Sequence, residues 1–320
     1  MNPTLDLAKV ALLAGGGWAV TTLLRRTAAT ARHDLWLLVI LGVMLVPAAE
    51  LLLPPLYIIV PPTWESLEQR PERWLPMIGV WGVWAVGALV WVARLVPGLV
   101  ALRQVARQGE RWSAPGAVSA LAEAARLAGV TRPVTLLRSS AVQVPATWGV
   151  RRPIVALPAA AASWTPERLR LVLVHELVHV RRQDVLVEGL LWLAGAVYWF
   201  HPAVWLAAAR VRLERERACD EAVLATGARA SDYCEHLVEI MRAATRGGHG
   251  AVVGAAMAAP CTLEHRVRAL LASPRPAPTR AGGGMPLVLA GAVLIYALSV
   301  AAPCASAPPD VNHAAPAGRR

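Results

Sequence analysis

The chain has 320 residues, 56% of them hydrophobic and 17% charged, with a mean hydropathy of +0.46, a membrane protein's composition that excludes an ordinary soluble enzyme. A net charge of +11 would suit nucleic acid, but the arginines flank apolar segments or gather in one central block, as the positive-inside rule requires, so direct nucleic-acid binding is not expected. Cys219, Cys234, Cys261 and Cys304 show no Cys-x-x-Cys spacing, which favours free thiols over a thiol-rich zinc site.

The first apolar stretch, residues 7–24, is long enough to cross a bilayer at about 1.5 Å per residue. Arg25 and Arg26 follow it where a signal peptide would have a small-residue cleavage site, so it reads as a retained span. A second span is expected over 35–53, ended by Pro54 and Pro55, and a third over about 76–93. The loop between them is acidic and rimmed by Trp64 and Trp74, as outer-face loops often are. Arg94, Arg103, Arg107 and Arg111 mark a return to the inside, which puts the N-terminus outside and the central region in the cytoplasm. A Pro/Gly/Arg-rich linker over 272–284 leads to a last span, 286–302, and a Pro/Ala-rich tail too short to fold.

Only the region from 102 to 285 can form an aqueous domain. AVSALAEAARLAG reads as an amphipathic helix closed by Gly129, and short strands are expected over 134–137 and 154–157. In WTPERLRLVLVHELVHVRRQD, Thr165 is a good N-cap, Pro166 suits the first helical position and Glu167 complements the positive end of the dipole. Positions i and i+4 of a helix share a face, so His175 and His179 can offer two imidazole nitrogens to one metal while Glu176 acts on water bound to it, a zinc peptidase arrangement. Just upstream, Pro145, Ala146, Thr147, Trp148 and Gly149 are candidates for a strand edge that holds substrate as an added strand, a plain structural hairpin being the alternative.

The apolar run 186–200 would span about 22 Å as a helix, short of the roughly 30 Å hydrocarbon core, so it should lie in the membrane face or re-enter. Pro202 then opens a helix carrying Glu214, Glu216, Asp220 and Glu221. Because 186–200 does not cross, this helix stays on the membrane side of His175. Glu216 and Asp220 share a face, which suits Glu216 as third zinc ligand with Asp220 behind it holding a ligating histidine. Spacing alone leaves Glu214 open as that ligand. Tyr233, His236 and His201 are candidate donors to a developing oxyanion, each with a structural alternative. Arg182 and Asp184 are read as orienting the active-site helix.

HELVHVRRQD, WFHPAVWLAAARVRLERERACDEAV, DYCEHLVEIM and TLEHRVRALL, in that order and preceded by VPATWGVRRPIVALP, resemble the membrane zinc peptidases of the BlaR/MecR antirepressor type, as does the layout of spans. The resemblance implies a gluzincin-like site with Zn2+ on His175, His179 and Glu216, Glu176 as general base and Asp220 as the acid behind the ligands. It also implies that the activated peptidase cleaves itself or a cytoplasmic protein, a small winged-helix transcriptional repressor. Antibiotic receptors of this type carry a large outer sensor after their last span, where this sequence has a short tail, so direct β-lactam sensing is not expected of it. The alternatives are a housekeeping membrane protease of the HtpX or prenyl-protein endopeptidase type, and a non-catalytic transducer keeping zinc for structure.

The resulting expectation is a mostly α membrane protein with four transmembrane helices and a cytoplasmic α+β gluzincin-like zinc peptidase domain inserted between spans three and four. Residues 1–101 form a three-span bundle, 102–285 the peptidase domain with a lipid-contacting segment 186–200, 286–302 the fourth span and 303–320 a short disordered outer tail. Its place is the cell (inner) membrane.

Overall fold

A computed structural model of the protein describes residues 3–23, 27–52, 56–59, 74–246, 260–272 and 301–304. Most of the expected linker, the fourth span up to residue 300 and the tail beyond 304 lie outside them. The described chain is mostly helical. Helices α1 (Pro3–Leu23) and α2 (Ala29–Leu52) pack on each other and on α7 (Asp184–Val197) and α8 (Pro202–Leu224). Their shared core includes Leu13, Trp36, Ile40, Leu191, Tyr198 and Val211.

Helix α2 begins six residues before the expected second span. Two contacts to α8 hold this start. Glu221 accepts from the Ala29 backbone N–H at 3.2 and 3.3 Å, capping the helix N-terminus, and Arg32 Nε donates to Glu214 at 2.8 Å.

Helix α3 (Trp74–Ala93) continues through Arg94, whose backbone stays helical at φ −66° and ψ −17°, into α4 (Leu95–Gln108). The 30 residues Gly79–Gln108 are, among the described residues, the one helical stretch long and apolar enough to cross a membrane. Val80, Trp81, Val83, Val86 and Leu89 stand exposed on it, an apolar surface suited to lipid rather than water. Its inner face meets α7 and the turn after it through tryptophans: Trp84 Nε1 donates to the Val197 carbonyl at 2.9 Å and Trp199 Nε1 to the Trp84 carbonyl at 3.2 Å. Gly87 makes the approach possible, since a Cβ there would meet the Trp199 ring at 2.1 Å.

Strand β1 (Leu56–Ile59), inside the expected outer loop, pairs in parallel with β6 (Ala301–Cys304), Leu56 opposite Ala301 and Ile59 opposite Cys304. Ala301 and Ala302, expected at the end of the fourth span, and Pro303 and Cys304, expected in the tail, all lie in this ladder.

In the peptidase region a four-stranded sheet runs in the order β2 (Glu110–Arg111), β3 (Thr135–Ser139), β5 (Ile154–Pro158), β4 (Ala146–Trp148). β3 and β5 are parallel and the two outer pairs antiparallel. Gly149 turns the chain from β4 into β5 at φ +91°, where a Cβ would lie 2.5 Å from the Arg152 carbonyl oxygen. Helix α5 (Pro115–Ala128) ends on Gly129, left-handed at φ +69°, and lays a stripe of Ala117, Ala124 and Ala128 on α6 (Pro166–Arg182). With α9 (Ala230–Arg246) and α10 (Pro260–Ala272) they bury a second core that includes Leu157, Leu173, Leu177 and Val223. Helix α8 belongs to both cores, Val204 to Val211 in the first and Cys219 and Val223 in the second.

Candidate metal centre

Helix α6 starts as its sequence dictates, with Thr165 Oγ1 accepting from the Arg168 N–H at 3.2 Å and Pro166 in the first turn. From Leu171 to Val178 every residue is buried, so this helix runs through the domain's centre. Its i, i+4 pair converges: His175 Nε2 and His179 Nε2 lie 3.2 Å apart. Glu216 reaches in from α8, Oε2 at 3.6 Å from His175 Nε2 and Oε1 at 3.8 Å from His179 Nε2.

The other ring nitrogens are committed. His179 Nδ1 lies 2.7 Å from Asp184 Oδ2. That contact depends on Gln183, which ends α6 in the left-handed conformation at φ 57° and folds Asp184 back over the last turn. His175 Nδ1 is 2.9 Å from the Tyr233 hydroxyl, which donates to Asp220 Oδ1 at 2.8 Å, so the phenol oxygen accepts from the imidazole N–H. With both Nδ1 atoms committed to these partners, the two Nε2 atoms are the ones turned towards each other and towards Glu216, as the ligating atoms of a metal site would be. Nitrogens bound tetrahedrally at about 2.0–2.1 Å would lie about 3.3–3.4 Å apart, so the pair already has the spread of two zinc ligands. Oriented, carboxylate-backed imidazoles are what a metal site requires.

Electrostatics point the same way. Burial disfavours a charged His175, yet its hydrogen bonds to Asp220 and Glu216 raise its pKa to about 9, so the surroundings favour positive charge there. Burial likewise pushes against the Glu216 carboxylate, but the His175 hydrogen bond and the charges of His179, Arg266 and Arg215 hold it well below the ordinary range. For Asp184, burial is outweighed by the hydrogen bond and charge of His179, and its pKa is lowered.

Glu214, the other candidate third ligand, points away: its carboxylate is buried between Arg32 at 2.8 Å and Arg217 at 2.9 Å. Cys219 is the rival donor. A ligand atom from each of His175, His179 and Cys219 lies within 4.8 Å of the others, but the sulfur sits 3.4 Å from His179 Nδ1, the nitrogen Asp184 already holds. Burial, with the Asp184 and Glu216 charges, raises the Cys219 pKa well above its usual value. Two histidine Nε2 atoms and the Glu216 carboxylate therefore face one another, a donor set of a kind that zinc takes.

Residues 65–270, well over half of the chain, match the family described as BlaR1 peptidase M56. The chain belongs to the BlaR1 peptidase M56 family. Over 93 residues it is 41% identical to the regulatory protein BlaR1 of Bacillus licheniformis, a stretch covering 29% of this chain and 16% of that protein. Over 92 residues it is 25% identical to the methicillin resistance mecR1 proteins of Staphylococcus aureus and Staphylococcus epidermidis, covering 28% of this chain and 16% of each. The similarity thus spans about a sixth of these relatives.

In this M56 member Glu176 follows the first histidine, its Oε2 accepting from Thr147 Oγ1 at 2.6 Å. Thr147 is the middle residue of β4, the edge strand, so Ala146, Thr147 and Trp148 form a strand end beside Glu176, with Pro145 and Gly149 at its two ends. The three candidate oxyanion donors are not brought together. Tyr233 is on the Nδ1 side of His175, away from Nε2. His236 accepts from Arg168 Nε at 3.2 Å. His201 is the N-cap of α8, accepting from the Ala203 N–H at 3.2 Å.

Two partners escaped the sequence reading. The Thr147 bond to Glu176 joins residues 29 apart on different elements, and no spacing rule finds it. Arg266 donates to both Asp220 oxygens. A signal for it existed: it occupies a core-facing position of α10 beside Val267 and Leu270, where an apolar residue is the norm.

Proposed function

We propose that this protein is a membrane-embedded zinc metalloendopeptidase of BlaR/MecR type, with zinc on His175, His179 and Glu216 and with Glu176 as general base. The observation that carries this reading is the facing pair of His175 and His179 Nε2 atoms 3.2 Å apart, each ring backed at Nδ1, with the Glu216 carboxylate opposite. Zinc held there supplies a Lewis acid for the peptide carbonyl and lowers the pKa of bound water towards about 7.

The remaining steps belong to side chains of the chain. Glu176 takes the proton of the attacking water and returns it to the leaving amine. Thr147 fixes one carboxylate oxygen of Glu176. A substrate strand added along β4 would pass directly beside that carboxylate, which makes residues 145–149 the proposed binding edge. Asp184, Asp220 and Tyr233 keep each ligating imidazole in one tautomer and orientation.

As a whole molecule, the chain is proposed to cross the cell membrane four times, with α1, α2 and α3 among the spans, α7 against lipid and the peptidase domain in the cytoplasm. Its substrate is then itself or a small cytoplasmic repressor, whose cleavage relays a signal to transcription. The test compares detergent-purified wild type with Glu176→Gln for zinc content and for cleavage of the chain or of a co-purified repressor. Both should hold zinc, and only wild type should cleave, the variant losing about 10²-fold or more. Equal cleavage by Glu176→Gln would overturn the assignment.

A further inference from the structure

Arg266 lies 46 residues beyond Asp220 in the chain, on helix α10, which carries none of the proposed zinc ligands yet delivers this part-buried cation to the site. Arg266 Nε donates to Asp220 Oδ2 at 2.8 Å and Nη2 to Asp220 Oδ1 at 2.7 Å, a two-pronged grip on the carboxylate that backs His175. The remaining arm of the same guanidinium, Nη1, lies 3.3 Å from Glu216 Oε2. The Arg266 side chain is 14% exposed, Asp220 3% and Glu216 18%, so these contacts are shielded from water.

We propose that Arg266 is a positioning residue of the metal site, whose planar guanidinium locks Glu216 and Asp220, one turn apart on α8, into the orientations that hold and back the zinc. The inference rests on the zinc reading above and adds a residue to it. Two carboxylates on one helix face repel when buried together, and Glu216 has rotamers that would swing it off the histidine pair. One guanidinium bridging them removes both problems. A lysine cannot reproduce this, because its single ammonium has no planar fork to span two carboxylates. Arg215 also touches Glu216, at 3.4 Å to Oε1, but it is next to it on α8 and is shared with Glu188, so it does not tie Glu216 to Asp220.

The alternative is that Arg266 only clips α10 onto α8. The two roles separate in the affinity for zinc, measured on the full chain in detergent by chelator competition, and in the visible spectrum of the Co(II)-substituted protein. Arg266→Lys should weaken zinc binding about 10-fold or more, with Arg266→Ala approaching about 100-fold, and both should alter the cobalt bands while circular dichroism stays that of the folded chain. Arg268→Ala, which removes an exposed partner of Glu264 on the same helix, should leave affinity and spectrum unchanged. Wild-type zinc affinity and cobalt spectrum in folded Arg266→Lys would overturn the proposal, whatever Arg266→Ala does to folding. Should wild type bind no zinc, or His175→Ala keep it, the zinc reading itself falls and this inference with it. Zinc bound by wild type, lost in His175→Ala and unaffected in Arg266→Lys would refute the inference alone.

Discussion

Each histidine of the pair is held by a carboxylate from a different element, His179 by Asp184 and His175 by Asp220 through Tyr233. Asp220 gives a pH signature. Burial works to raise its pKa, but the Arg266 charge and the hydrogen bonds to His175 and Arg266 bring it from 3.8 to about 2. A folded-state pKa below the unfolded one means the ionised group's contribution is full above about 3.8 and is lost as pH falls through about 2, an effect on the order of 2 kcal/mol. Wild type should therefore lose its advantage in thermal midpoint over Asp220→Asn between pH 4 and 2. A gap that stays constant across that window would contradict the assignment. At this scale the sequence was legible where chemistry repeats at helical spacing, as in His175, Glu176 and His179. It was silent on the Thr147 and Arg266 contacts, which exist only once β4 and α10 have packed.

Among the elements, α8 does the most, since one helix reaches both cores and carries two neighbouring acids with different duties. Glu216 and Glu214 are two positions apart, so they cannot share a face, and the structure turns one to the histidines and the other to α2. Glu216→Ala should weaken zinc by more than the 10–100-fold typical of an outer hydrogen-bond partner. Glu214→Ala should keep zinc and instead lower stability by about 3–5 kcal/mol, because it removes the buried carboxylate between Arg32 and Arg217. Zinc loss in Glu214→Ala with zinc retained in Glu216→Ala would reverse the two roles. Element boundaries were readable where capping is local, as at Thr165, Pro166 and Gly129. The start of α2 and the pairing of β1 with β6 were hidden, because their partners lie far along the chain: 192 residues separate Ala29 from Glu221.

For the whole molecule, one core gathers α1, α2, α7 and the first half of α8, another gathers the sheet with α5, α6, α9 and α10, and Gly79–Gln108 stands largely exposed as an apolar helical stretch. Hydropathy made that apolar stretch visible in the sequence, since a helix suited to lipid needs an apolar surface. What it could not supply is how α1, α2 and α7 gather around α8, where Arg32 of α2 meets Glu214 and Glu188 of α7 meets Arg215. That α6 and α8 meet on one zinc through two imidazoles and a carboxylate is a claim that zinc X-ray absorption on the purified full chain decides. The expected result is a nitrogen and oxygen shell at about 2.0–2.1 Å with outer scattering from two imidazoles and no sulfur. A sulfur shell at about 2.3 Å would put Cys219 on the metal and contradict the claim.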